Sequence, residues 1–280
     1  MFFLKNLDKF SSRISQNTLL ITWLIKDNLQ DGSMQKRNRF GLSRYVPQDV
    51  CREIRQRCGF GCVICGLAFY DYEHFDPDFK DARKHNPEGM TLLCSQCNQK
   101  RARGRLSSDS VARANMNPKC KQQGYASESL DFGPDPIKLF MGRVIIQECR
   151  VFLHIQGVDV LSIRPPRENG ESFLLSGIFT DEAGRPRLEI VDNVWKCSDA
   201  NWDVEAVGPR IIIRRGLGDI VLQLLLIPPY AIEIERLDMR FKDYHFKCFG
   251  DEVKFSRIGE VWTRLGEVAI TRFDVALSLN

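Results

Sequence analysis

Residues 62–104 read CVICGLAFYDYEHFDPDFKDARKHNPEGMTLLCSQCNQKRARG, and the rest of the chain is organised around them. Two C-x-x-C pairs, Cys62/Cys65 and Cys94/Cys97, bracket the step Glu73-His74, and Asn98 follows the last cysteine directly. Four thiolates in two close pairs suit a tetrahedral Zn²⁺, because each pair provides one edge of the tetrahedron from a tight turn. Gly66, just after Cys65, can take a positive φ and turn backbone N–H groups toward the sulfurs. With sulfur at all four positions there is no place for a water, so the expected zinc is structural.

Between the pairs, residues 69–72 are aromatic and β-prone and predict a strand ending at Glu73-His74. Asp76-Pro77 interrupts it, residues 90–93 predict the return strand, and Ser95 opens a helix that stops at Gly104. Such a strand–loop–strand–helix unit, held at both ends by one metal, brings His74 and Asn98 near each other. The segment resembles the ββα-metal finger of HNH endonucleases, in the subgroup with two zinc-binding C-x-x-C knuckles, over residues 45–106. The resemblance implies that Glu73 is a ligand of a catalytic divalent ion, His74 the general base and Asn98 a second ligand of that ion. The family's middle Asn falls at Gly89 here. That departure bears on the rigidity of the loop carrying His74, with His85 and Asn86 the neighbours that could substitute.

The chemistry agrees with the resemblance. A neutral imidazole, with an ordinary pKa of about 6.5, can take a proton from water near neutral pH. Mg²⁺ or Mn²⁺ prefers oxygen ligands such as the Glu73 carboxylate and the Asn98 carbonyl, whereas thiolates select Zn²⁺. The two sites therefore do not compete for one metal.

Net charge is only +4 over 280 residues, so global charge does not announce a nucleic-acid binder. Its distribution does. From Lys100 to Lys121 seven basic residues (Lys100, Arg101, Arg103, Arg105, Arg113, Lys119, Lys121) face one acid, Asp109, a local +6. Lys100, Arg101, Arg103 and Arg105 are the expected contacts to the DNA backbone. Of the ten cysteines, the six outside the zinc pairs show no close pairing pattern, which favours a reducing cytoplasm over a disulfide scaffold.

Residues 1–33 hold an apolar run at 19–25 that is too short to span a bilayer, so no membrane is expected. They predict an amphipathic helix, or a non-native extension if Met34 is the start. Residues 47–58 predict a helix with Pro47 at its first turn and Gly59 at its end. Residues 107–136 are rich in Ser, Asn, Gln, Gly and Pro, a linker composition. From residue 137 onward, short apolar runs separated by turn signals predict an all-β domain: a sandwich, barrel or β-solenoid.

The expected fold class is α+β: a zinc-stapled ββα-metal finger (34–106) with flanking helices, a basic, polar linker (107–136) and a separate all-β domain (137–280). The expected function is metal-dependent hydrolysis of DNA phosphodiester bonds. The alternatives are a zinc-stabilised nucleic-acid-binding module without catalysis and a protein whose zinc only staples its fold. A homodimer, and a ligand or partner for the β domain, are left open.

Overall fold

The computed structural model describes residues 37–280, and the expectations for residues 1–33 lie outside the described residues. The chain divides into two compact units, one ending at Tyr45 and one spanning Val46–Asn280. In the first, a turn is held by Asn38, whose Oδ1 accepts the Phe40 and Leu42 amides at 3.0 Å.

The second unit begins with helix α1 (Gln48–Cys58). Pro47 precedes its first turn, and Gly59 closes it at φ 73°, the left-handed conformation glycine adopts without cost. Strands β1 (Asp71–His74) and β2 (Met90–Leu93) pair antiparallel, with Glu73 opposite Thr91 and His74 opposite Met90. Helix α2 (Ser95–Ala102) follows β2 through Cys94. These elements meet in a small core that includes Ile54, Cys58, Leu92, Leu93 and Val111.

Residues 107–136 do not form the expected tether. They fold into α3 (Ser108–Met116), α4 (Lys119–Gln123) and β3 (Tyr125–Ser129). The residues that suggested a linker are the punctuation of these short elements. Ser107 caps α3 by accepting the Ser110 amide at 3.1 Å, Pro118 precedes α4, and Gly124 ends it at φ 82°.

Among the described residues, those from 137 onward are β, as expected, but the strands do not form a separate domain. One sheet of seven strands runs in the order Val275–Leu279, Val151–Ile155, Val158–Arg164, Leu174–Thr180, Pro186–Val191, Val194–Ser198 and finally β3. A ten-stranded sheet is built on a meander from Asp203–Val207 to Thr263–Leu265. Buried residues of both sheets, such as Leu175 and Leu188 of the first and Ile213 and Phe246 of the second, belong to one core, the layering of a sandwich. Phe60, Ala68 and Cys120, from the N-terminal part of the unit, are buried in that same core.

Two further connections tie the parts together. The turn after Cys65 adds to the edge of β3: Ala68 N–H donates to Ser127 O at 2.9 Å, and Ser127 N–H to Gly66 O at 3.3 Å. A buried charge network joins α1 to the strand Asp203–Val207. Arg55 donates from Nε and Nη2 to the two oxygens of Asp203, both at 2.8 Å, and from Nη1 to Tyr72 Oη on β1 at 2.7 Å. Arg55 is 2% exposed and Asp203 1%, and Arg214 also binds Asp203 at 3.0 Å. Burial works against the Arg55 charge, but the Asp203 carboxylate and Tyr72 hold it above its ordinary value.

Arg55→Ala is therefore expected to lower stability by about 3 kcal/mol, the low end for breaking a buried pair, because Asp203 keeps Arg214. Urea unfolding of the zinc-loaded protein checks this; an unchanged midpoint would mean that the network contributes nothing. A chain ending near residue 136 is expected to be insoluble, since it would leave β3 without the strand Val194–Ser198 and expose Phe60 and Ala68.

Candidate metal centre and its neighbours

Cys62, Cys65, Cys94 and Cys97 place their sulfurs within 4.8 Å of one another. Cys65 Sγ and Cys94 Sγ, one from each pair, are 3.6 Å apart. A tetrahedron with Zn–S bonds of about 2.3 Å has edges of about 3.8 Å, so the donor set fits zinc. Local backbone geometry explains the fit. Gly66 takes φ 83° and returns its N–H to Cys62 O at 2.8 Å, which closes the first turn. In the second, Cys94 is the N-cap of α2, and its sulfur accepts the Cys97 N–H at 3.4 Å. The protons respond unequally to this crowding. A hydrogen bond from Cys65 lowers the pKa of the Cys62 thiol, while Cys65, as the donor, is held well above its usual value. Burial pushes Cys97 up to about 12. Four thiolates this close need a dication between them, which makes zinc affinity strongly pH-dependent.

Asn98, expected near His74, contacts Glu73: its Nδ2 donates to Glu73 Oε1 across the β1–α2 junction. Asn98 lies in the first turn of α2, one residue past a zinc-cluster cysteine, so the cluster fixes where its side chain starts. In this arrangement the Asn98 amide nitrogen faces Glu73, and the oxygen donors at the junction are the Glu73 carboxylate and the Asn98 carbonyl, of the type that hard cations take. His74, next in β1, is buried and turns to other partners. Its Nε2 lies 3.0 Å from His85 Nδ1, and its ring rests on Phe79 with centroids 5.5 Å apart. The sequence named His85, beside Asn86, as a residue that could steady the loop carrying His74, but could not place it, because an 11-residue separation across an irregular loop has no periodic signature.

The departure at position 89 has a steric cause. A Cβ on Gly89 would stand 1.9 Å from Asp76 O, so no side chain fits there. The backbone steadies the loop instead: Phe75 N–H and Asp76 N–H both donate to Gly89 O, at 3.0 and 3.2 Å. Gly89→Ala is expected to displace this loop and cost roughly 2–4 kcal/mol, within the range for severe single substitutions. A chain as stable to urea as the parent would contradict it.

The four basic residues of the tract behave differently. Lys100, Arg103 and Arg105 are exposed, whereas Arg101 turns inward and pairs with Asp78 in the loop between β1 and β2. Lys121, further along, is 3.6 Å from Asp199. A cleft of about 460 Å³, lined by Lys121, Arg187, Arg214 and Trp202 among others, lies at the β sheets. Its cations are answered by acids, Arg187 by Asp181 and Arg214 by Asp203 and Glu205. It joins no base to a metal-ligand pair, and the β1–α2 junction is the better candidate.

None of the ten cysteines is disulfide-bonded. No helix among the described residues is long and apolar enough to cross a membrane. Compared with known proteins, the chain matches no family model, no curated protein and no solved structure.

Proposed function

We propose that the chain is a metal-dependent endonuclease of the HNH type that hydrolyses DNA phosphodiester bonds. The observation that carries this reading is the junction where Glu73, on a strand, meets Asn98, on a helix whose start the four-cysteine cluster fixes, with His74 adjacent. Glu73 and Asn98 would hold Mg²⁺ or Mn²⁺, which when bound lowers the charge barrier at the phosphate and at the departing oxygen. His74 takes the proton of the attacking water. Lys100, Arg103 and Arg105 hold the DNA backbone near the junction. The test is cleavage of supercoiled plasmid with Mg²⁺ or Mn²⁺ against an EDTA control. Absence of nicking by folded, zinc-loaded protein defeats the proposal.

A second reading is a zinc-stabilised nucleic-acid-binding module without catalysis. The contact of the Asn98 amide nitrogen with Glu73 favours it, because that bond closes the ligand pair on itself. Salt-sensitive DNA binding without cleavage would establish this alternative. Under either reading, replacing Lys100, Arg103 and Arg105 together by Gln should weaken binding equally across unrelated sequences. The salt slope should flatten by about 2 to 3, at roughly 0.9 per lost phosphate contact. A loss confined to one sequence would mean that these residues read bases.

A further inference from the structure

We propose that His85 is a positioning residue for His74: its Nδ1 accepts a hydrogen bond from His74 Nε2–H and holds His74 in the tautomer whose lone pair is on Nδ1. This rests on the reading of His74 as the base and deepens it. The 3.0 Å separation of the two nitrogens admits only one proton between neutral rings. If His85 donated it, His74 would carry its own proton on Nδ1 and have its Nε2 lone pair occupied, with nothing left to accept a proton from water. Only the opposite direction leaves His74 able to act as a base.

The backbone turns this contact into a closed circuit. Gly89 N–H donates to Asn86 O at 3.1 Å, which fixes the tight turn directly after His85. Gly89 O in turn accepts Phe75 and Asp76, the two residues directly after His74. The same short loop thus grips the chain on the C-terminal side of both imidazoles and sets their separation. Phe79 rests against the His74 ring at 5.5 Å and limits its rotation. Position 89 can offer no side chain to orient His74, since even a Cβ would collide with Asp76 O. His85 offers the acceptor from the other end of the turn.

Two measurements on the full, zinc-loaded chain test this. Long-range ¹H–¹⁵N correlation spectra should find His74 protonated on Nε2 in the parent and a mixture of tautomers in His85→Ala. In plasmid-derived duplex cleavage with Mn²⁺, His85→Ala should lose roughly 10- to 100-fold in kcat with KM unchanged, as for other residues that orient a functional side chain. His85→Asn should recover most of the rate, because its Oδ1 stands about where Nδ1 does. His85→Phe, which fills the space without an acceptor, should not. A parent His74 protonated on Nδ1, or a His85→Phe variant as fast as the parent, overturns the proposal. If the parent cleaves nothing, the nuclease reading falls, and the spectra alone still decide whether His85 fixes the His74 tautomer.

Discussion

Cys94→Ser is expected to abolish zinc binding and unfold the segment around residues 62–104. Serine is a good N-cap, so the substitution preserves the capping role that the Cys94 sulfur plays toward Cys97 N–H. What it removes is one thiolate ligand, and the loss is therefore chargeable to the metal alone. Structural zinc contributes an apparent 10–16 kcal/mol or so in small fingers at neutral pH, comparable to or larger than the net stability of a whole domain. The damage should spread beyond the cluster. Ala68 and Gly66 pair with Ser127 on β3, and Lys119 N–H at the start of α4 donates to Val63 O at 3.0 Å, within the first knuckle. Elemental analysis should find about one zinc per parent chain and none in the variant. Hydrogen exchange should show lost protection at residues 62–68, 90–102 and 125–129. A metal-free chain with native protection at those amides would end the structural-zinc interpretation.

The sequence was most legible where spacing alone defines chemistry. Two C-x-x-C pairs predict one cluster whatever lies between them, and the four sulfurs converge as expected. Strand β2 falls at its predicted residues, and β1 begins two residues later than predicted, because the chain at 67–68 bridges to β3 and residues 69 and 70 run irregularly between that contact and β1. Composition misled at residues 107–136. Ser, Asn, Pro and Gly are frequent both in tethers and at the ends of short helices, and only the partner strand Val194–Ser198 decides between them. The hairpin turn Asp192-Asn193, at φ 48° and 66°, delivers the strand Val194–Ser198, whose pairing with β3 across more than sixty residues of chain has no local signature. The same limit applies to Arg55. Its helix was predicted, but a bidentate contact with Asp203, 148 residues away, follows from tertiary packing and has no local signature. At the candidate site, Glu73 and Asn98 were named from the resemblance and lie in contact, whereas the inward turn of Arg101 toward Asp78 had no signal in the sequence.

His74→Ala is expected to remove about 10² to 10⁴ of the cleavage rate, the usual contribution of a positioned general base, while leaving Mn²⁺ affinity nearly unchanged. The separation of roles follows from β1. Glu73 and His74 are neighbours on a strand, so their side chains leave it in different directions, Glu73 to Asn98 on α2 and His74 to His85 in the loop. Removing the imidazole leaves the two oxygen donors where they were. Asn98→Ala should do the reverse, raising the Mn²⁺ concentration needed for half-maximal cleavage, since Glu73 alone would then hold the ion. Asn98→Asp keeps an oxygen at that position and should retain measurable activity, although it places a second carboxylate against Glu73 and trades one hydrogen bond for like-charge repulsion. Added imidazole offers a further check on His74→Ala, because a small base that fits the vacated space can restore part of the rate without restoring any metal ligand. Mn²⁺ binding by the two alanine variants decides between the assignments. If His74→Ala loses the ion and Asn98→Ala keeps it, His74 is a ligand, and the base must be sought elsewhere in the loop between β1 and β2.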